Sequence, residues 1–142
     1  MATLVRAQPA ILSDDELAAL CRSVALRPHL WKPVVRHNPS QRWYERLMLT
    51  DSVEMWLIGW WPGQSTPLHD HGGAAGALVV LEGALTETVP DAPPHAWSRG
   101  TARRFAPSHI HRIENAGHQL ATSVHVYSPP LLPMRAYQDT AA

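Results

Sequence analysis

Proline sets the first limit on what this chain can become. Thirteen of its 142 residues are proline. Each fixes φ and lacks an amide proton, so long helices are excluded from most of the sequence. Short strands joined by many turns remain. The length suits one domain able to bury a core, and residues 1–142 are expected to form it. Twelve basic and twelve acidic side chains cancel, so no field favours nucleic acid or an anionic membrane. Cys21 is the one cysteine, which excludes an intrachain disulfide. Residues 1–10 lack the apolar core of a secretory leader, and no apolar run is long enough to span a bilayer. A soluble, cytoplasmic monomer is the expectation.

The one clear helix signal lies near the start. Ser13-Asp14-Asp15-Glu16 reads as a capping box, with Ser13 as the cap and Glu16 reaching back. Leu17, Leu20, Cys21 and Val24 follow at helical spacing. Pro28 ends the helix, because the residue before proline avoids the α region. Residues 1–30 are thus a helical segment with a loose lead-in. Beyond it the pattern is of strands. Arg42–Leu49 and Val53–Trp61 flank Thr50-Asp51-Ser52 as a hairpin. Ala77–Leu81 and Ala84–Val89 flank Glu82-Gly83. Trp97–Phe105 carries Arg99, Arg103 and Arg104 and reads as a solvated edge. Pro107–Asn115 and Leu120–Tyr127 are two further strands, and the tail past Pro130 reads as a loose wrap. One helix followed by many strands means a closed sheet or a double-sheet jelly roll, and such barrels hold small ligands in the mouth or lumen.

Histidine is the unusual component, with nine residues in a chain of zero net charge. His69-Asp70-His71 sits at the end of an extended run before Gly72-Gly73. Residues two apart on a strand share a face, so both imidazoles can converge on one ion while Asp70 points away. A second cluster comprises His109-Ile110-His111, His118 and His125. His109 and His111 also share a face, so either can join the first pair, and alternation does not choose between them. Ser123, His125 and Tyr127 form another one-sided series, opposite Val124 and Val126. The alternation of polar groups points them into a wet or metal-bearing cavity, or out to solvent.

PLHDHGG…LVVLEGALTETV, together with IHRIENAGHQLATSVHVYSPPL, resembles the type I cysteine dioxygenase family, thiol dioxygenases of the cupin fold. The HRIEN and SVHVYSPP strings are the specific part of the likeness. The resemblance implies an all-β cupin, a jelly-roll β-barrel over residues 43–130 with a short N-terminal helical segment. It implies that His69, His71 and His111 bind Fe(II), and that Ser123, His125 and Tyr127 form a hydrogen-bonded relay ending at a phenol beside the substrate. Arg46, in WYERL, matches the arginine that pairs with the substrate carboxylate, and Tyr44 a tyrosine beside it. It also implies a cis Ser128–Pro129 bond, and L-cysteine and O2 as substrates, with cysteine sulfinic acid as product. Members acting on 3-mercaptopropionate often have glutamine at the Arg46 position.

Two departures from the family pattern matter, and the first is that the link between Arg46 and His69 is shorter than in mammalian members. Eukaryotic members cross-link the active-site tyrosine to a cysteine shortly after H-x-H; Gly76 stands there, as in many bacterial members, so Tyr127 is expected to be a free phenol. Many cupins also supply a glutamate four or five residues after H-x-H, where this chain has Ala75 and Gly76. The expected centre therefore has three imidazoles and no carboxylate, unlike the two-histidine, one-carboxylate arrangement. That leaves positions for a thiolate, an amine and dioxygen. A non-catalytic metal-binding cupin and a zinc or nickel enzyme are the competing expectations.

Overall fold

Capping starts the chain's regular structure. In the computed structural model, which describes residues 11–130 and 136–137, α1 runs over Asp14–Ala25. The Ser13 hydroxyl accepts from the Glu16 amide at 3.2 Å, and the Glu16 carboxylate accepts from the Ser13 amide at 3.1 Å. Acidic Asp14, Asp15 and Glu16 complement the positive end of the helix. Leu17, Ala18, Cys21 and Val24 make its buried face. A single 3-10 turn, Pro28–Leu30, follows.

The strands are β1 (Trp43–Leu49), β2 (Glu54–Trp60), β3 (Leu68–His69), β4 (Ala75–Glu82), β5 (Ala84–Thr88), β6 (His95–Ser98), β7 (Ala102–Phe105), β8 (Arg112–Glu114), β9 (Ala121–Ser128) and β10 (Ala136–Tyr137). A five-stranded antiparallel sheet has the order β1-β2-β9-β4-β7, and a three-stranded sheet the order β6-β5-β8. β10 pairs with β3.

The central strands β2, β9 and β4 of the larger sheet are buried on both faces, which explains the unbroken apolar run of β4. Ala77, Val79 and Leu81 of β4, Val124 and Val126 of β9, and Met55 and Leu57 of β2 form one core with Leu17, Cys21 and Val24 of α1. Each such leucine or valine contributes about 1.5–3 kcal/mol by leaving water. The opposite parity faces the smaller sheet. Ile58, Trp60, Leu78, Val80 and Tyr127 there meet Leu85 of β5 and Ile113 of β8. Ser123 and His125 share that inner face with Tyr127 by parity. The lead-in before residue 11 and most of the tail lie outside the described residues.

Three local expectations are corrected. The run holding His69 does not form a hairpin with β4. β3 is two residues long and is fixed instead by β10 and by a bridge between His69 and His111. Trp97–Phe105 is divided between β6 and β7 by a turn at Gly100, whose φ of 85° suits a residue without Cβ. Pro107–Asn115 retains only Arg112–Glu114 as strand, because the chain first turns with the His109 amide donating to the Ala106 carbonyl at 3.0 Å. The Ser128–Pro129 peptide is cis.

Candidate active site

Two backbone hydrogen bonds bring the histidine clusters together. The His69 amide donates to the His111 carbonyl at 2.9 Å, and the His111 amide returns the bond to His69 at 3.0 Å. A closely bonded antiparallel pair sets the two side chains next to each other on one face. His71 enters from the following turn. One ring nitrogen from each of His69, His71 and His111 lies within 4.8 Å of the others. All three residues are buried.

The ring tautomers follow from the outer bonds. Nδ1 of His69 donates to the Pro67 carbonyl at 2.8 Å, and Nδ1 of His111 donates to the Glu87 carboxylate at 2.7 Å. A neutral imidazole carries one proton, so Nε2 of each is left with a bare lone pair. Nε2 of His71 lies 3.1 Å from Nε2 of His111. Nδ1 of His71 is buried without a hydrogen-bond partner among the described residues. Two nitrogens each about 2.1 Å from one ion, at right angles, would lie about 3.0 Å apart. Converging lone pairs at this spacing fit a cation. Burial, aided by neighbouring imidazoles, pushes His71 down to about 3, and burial likewise brings His111 down to about 4. Burial lowers His69 too. All three are therefore neutral at neutral pH, as ligation requires.

His109 does not join this triad. Its Nε2 donates to Glu87 at 2.9 Å, so Glu87, His109 and His111 form a second cluster behind the first. His118 is exposed in the turn between β8 and β9.

Beside the triad is a cavity of about 410 Å³, lined in part by Arg42, Tyr44, Trp56, His69, His125 and Tyr127. Nε1 of Trp60 donates to the Ser123 hydroxyl at 2.9 Å, and that hydroxyl lies 2.8 Å from Nε2 of His125. Burial holds His125 down at about 3, so it is neutral. Among the described residues no hydrogen bond joins His125 to the Tyr127 hydroxyl. The Tyr127 ring instead lies along His71, with centroids 5.6 Å apart and planes at 28°. Burial pushes the phenol above its ordinary range, so it stays protonated.

Arg46 is not brought to the cavity. Its guanidinium turns to Glu54 at 3.4 Å and to the Trp56 ring, and 47% of the side chain is exposed. Arg42, four residues earlier and just before β1, lines the cavity instead. Burial lowers its pKa, while the nearby phenols Tyr44 and Tyr127 oppose that shift. Tyr44 stands at the rim, 61% exposed and edge-on to Trp56. Sequence reasoning also passed over Glu87 and Phe105. Glu87 shares an inward parity with Leu85, and one acid at an apolar-face position was the available signal. Phe105 stacks on His71 with centroids 4.6 Å apart. It fills the space at Gly76, where a Cβ would come within 2.3 Å of the ring.

A family model described as cysteine dioxygenase type I matches residues 3–140. The chain belongs to the type I cysteine dioxygenase family. Cysteine dioxygenase type 1 of Danio rerio is 26% identical over 145 residues, covering 90% of this chain and 71% of the relative. The Rattus norvegicus protein of the same name is 24% identical over 141 residues, covering 88% and 70%. Among solved structures, a double-stranded β-helix protein from Klebsiella pneumoniae aligns with a TM-score of 0.67 at 17% identity. That match covers 91% of this chain and 97% of the other. The fold is thus an all-β cupin, and the chain is a cysteine dioxygenase-like enzyme with a histidine-rich potential metal site. No helix among the described residues is long and apolar enough to cross a membrane.

Proposed function

We propose that this enzyme holds Fe(II) on His69, His71 and His111 and oxidises L-cysteine with O2 to cysteine sulfinic acid. The observation that carries the reading is the convergence of three neutral imidazoles, with no carboxylate among them, beside a cavity whose wall includes the Arg42 guanidinium. Bound iron would supply a site for the thiolate and for dioxygen. Both oxygen atoms pass to sulfur, so the four electrons sulfur loses are the four O2 accepts and no further reductant is needed.

The chain's own groups then bind and orient. Arg42 meets the substrate carboxylate as a charge-assisted pair, in the role the family motif had suggested for Arg46. Among the described residues it is the one Lys or Arg in the cavity wall. Tyr127, protonated and facing the cavity, donates a hydrogen bond to charge developing near sulfur. Ser123 fixes the His125 ring from behind, and Trp60 fixes Ser123. Ile58, Ile113 and Trp56 keep the pocket largely dry.

The test is anaerobic loading with Fe(II), then oxygen uptake with cysteine, 3-mercaptopropionate and cysteamine, with the product identified by mass. One O2 consumed per cysteine sulfinate formed is expected. Stoichiometric iron binding without oxygen uptake on any thiol would leave a non-catalytic metal-binding cupin and refute the proposal.

A further inference from the structure

Glu87 is buried, with 4% of its surface exposed, yet it accepts from four donors. Arg103 Nε at 2.9 Å and Trp97 Nε1 at 3.2 Å reach Oε1. His109 Nε2 at 2.9 Å and His111 Nδ1 at 2.7 Å reach Oε2. An ionised carboxylate has about four acceptor positions, so every one is used. Four N–H donors converge on this one carboxylate, so both of its oxygens act as acceptors.

Stability alone does not account for such an arrangement. Well-packed apolar side chains often replace a buried ion pair at no loss. What an apolar residue cannot do is fix which nitrogen of His111 carries the proton. We infer that Glu87 is a positioning residue for the metal centre: it locks His111 in the Nδ1–H tautomer, aims Nε2 at His69 and His71, and lends the three-imidazole site a negative charge from behind. The inference rests on the metal-centre reading above.

The charge has a chemical use. A carboxylate bound directly to the ion would occupy a position. A carboxylate one imidazole away raises ligand basicity and leaves that position open. Arg103 and Trp97 keep Glu87 from rotating, and His109 shares the load on Oε2. Arg103 thereby has a role unlike that of a solvated edge residue. Glu87, His109 and His111 also lie close enough to hold an ion of their own. Against that, every facing nitrogen is accounted for by a hydrogen bond, and the Arg103 cation lies against the same carboxylate.

The test uses the full chain labelled with 15N-histidine. Long-range 1H–15N spectra of the metal-free protein read tautomers, and anaerobic Fe(II) titration against a competing chelator reads affinity and stoichiometry. Wild type should show His111 as the Nδ1–H form and bind one Fe(II). Glu87→Gln should mix the His111 tautomers and weaken Fe(II) binding about 10- to 100-fold, the usual cost of losing such a partner. His109→Ala should change affinity less than about threefold, since the Glu87–His111 bond survives. His111 in the Nε2–H form in wild type would overturn the inference, even if Glu87→Gln fails to fold. So would two ions per chain, the second lost in His109→Ala, or a folded Glu87→Gln protein with unchanged affinity. If wild type binds no Fe(II), the metal-centre reading fails, and the tautomer spectrum still decides whether Glu87 sets the His111 ring.

Discussion

Arg42→Gln separates the two arginines that compete for the substrate carboxylate. Arg42 immediately precedes β1 and Arg46 lies within it, but only Arg42 reaches the cavity. Breaking one side of a buried charge pair costs about 3–5 kcal/mol. Arg42 is only partly buried, and screening by water lowers this to about 2–4 kcal/mol. At 1.36 kcal/mol per tenfold, kcat/KM for cysteine should fall roughly 30- to 1,000-fold. Arg46 is half exposed and its Glu54 contact is a long one. Such a pair is worth about 0–1 kcal/mol, so Arg46→Gln should cost less than about fivefold. Steady-state oxygen uptake by both iron-loaded variants, with thermal melts to verify folding, makes the comparison. Any turnover of cysteamine, which lacks a carboxylate, should be insensitive to Arg42→Gln. A collapse in Arg46→Gln alongside near wild-type kinetics in Arg42→Gln would refute the reasoning and return the anchor to Arg46.

Two further outcomes follow from the packing and the titration of the site. Gly76→Cys should destabilise the protein by about 1–3 kcal/mol, because the new Cβ meets the Phe105 ring and the Val126 carbonyl; a denaturation midpoint equal to wild type would show that Phe105 moves freely. In the metal-free protein, His71, His111 and His125 are held at about 3–4, below the 6.5 of a free imidazole. The unfolded chain takes up these protons first as pH falls, so stability is full above about 6.5 and is lost toward about 4. The slope is at most about 1.4 kcal/mol per pH unit for each histidine. Urea titrations of metal-free protein at pH 7, 6, 5 and 4 read this, and rising stability across that window would contradict it.

The sequence was informative wherever the signal was local. The Ser13–Glu16 capping box, the β1–β2 hairpin and the shared face of His69 and His71 rest on neighbours within a few residues. Parity also put Ser123, His125 and Tyr127 on one side and Val124 and Val126 on the other. It failed where the deciding contact was distant in the chain. His109 and His111 have the same parity, and what separates them is the bridge from His69 and the carboxylate of Glu87. Arg42 and Arg46 likewise share a parity, and what separates them is that the cavity opens beside the start of β1 while Arg46 meets Glu54. Arg103 read as surface because its acidic partner is on the opposite sheet.

The ring of Phe105 against Gly76 bears on the enzyme's life after synthesis. In members with a cysteine at this position, a cross-link to the tyrosine is a covalent step beyond folding, so a preparation can contain cross-linked and uncross-linked molecules. Here residue 76 carries no sulfur, and the Phe105 ring already fills the space at Gly76 while packing on both His71 and Tyr127. On the proposed reading, folding and metal uptake are the only steps the site requires. Progress curves should therefore begin without a lag, and every loaded molecule should contribute equally from its first turnover.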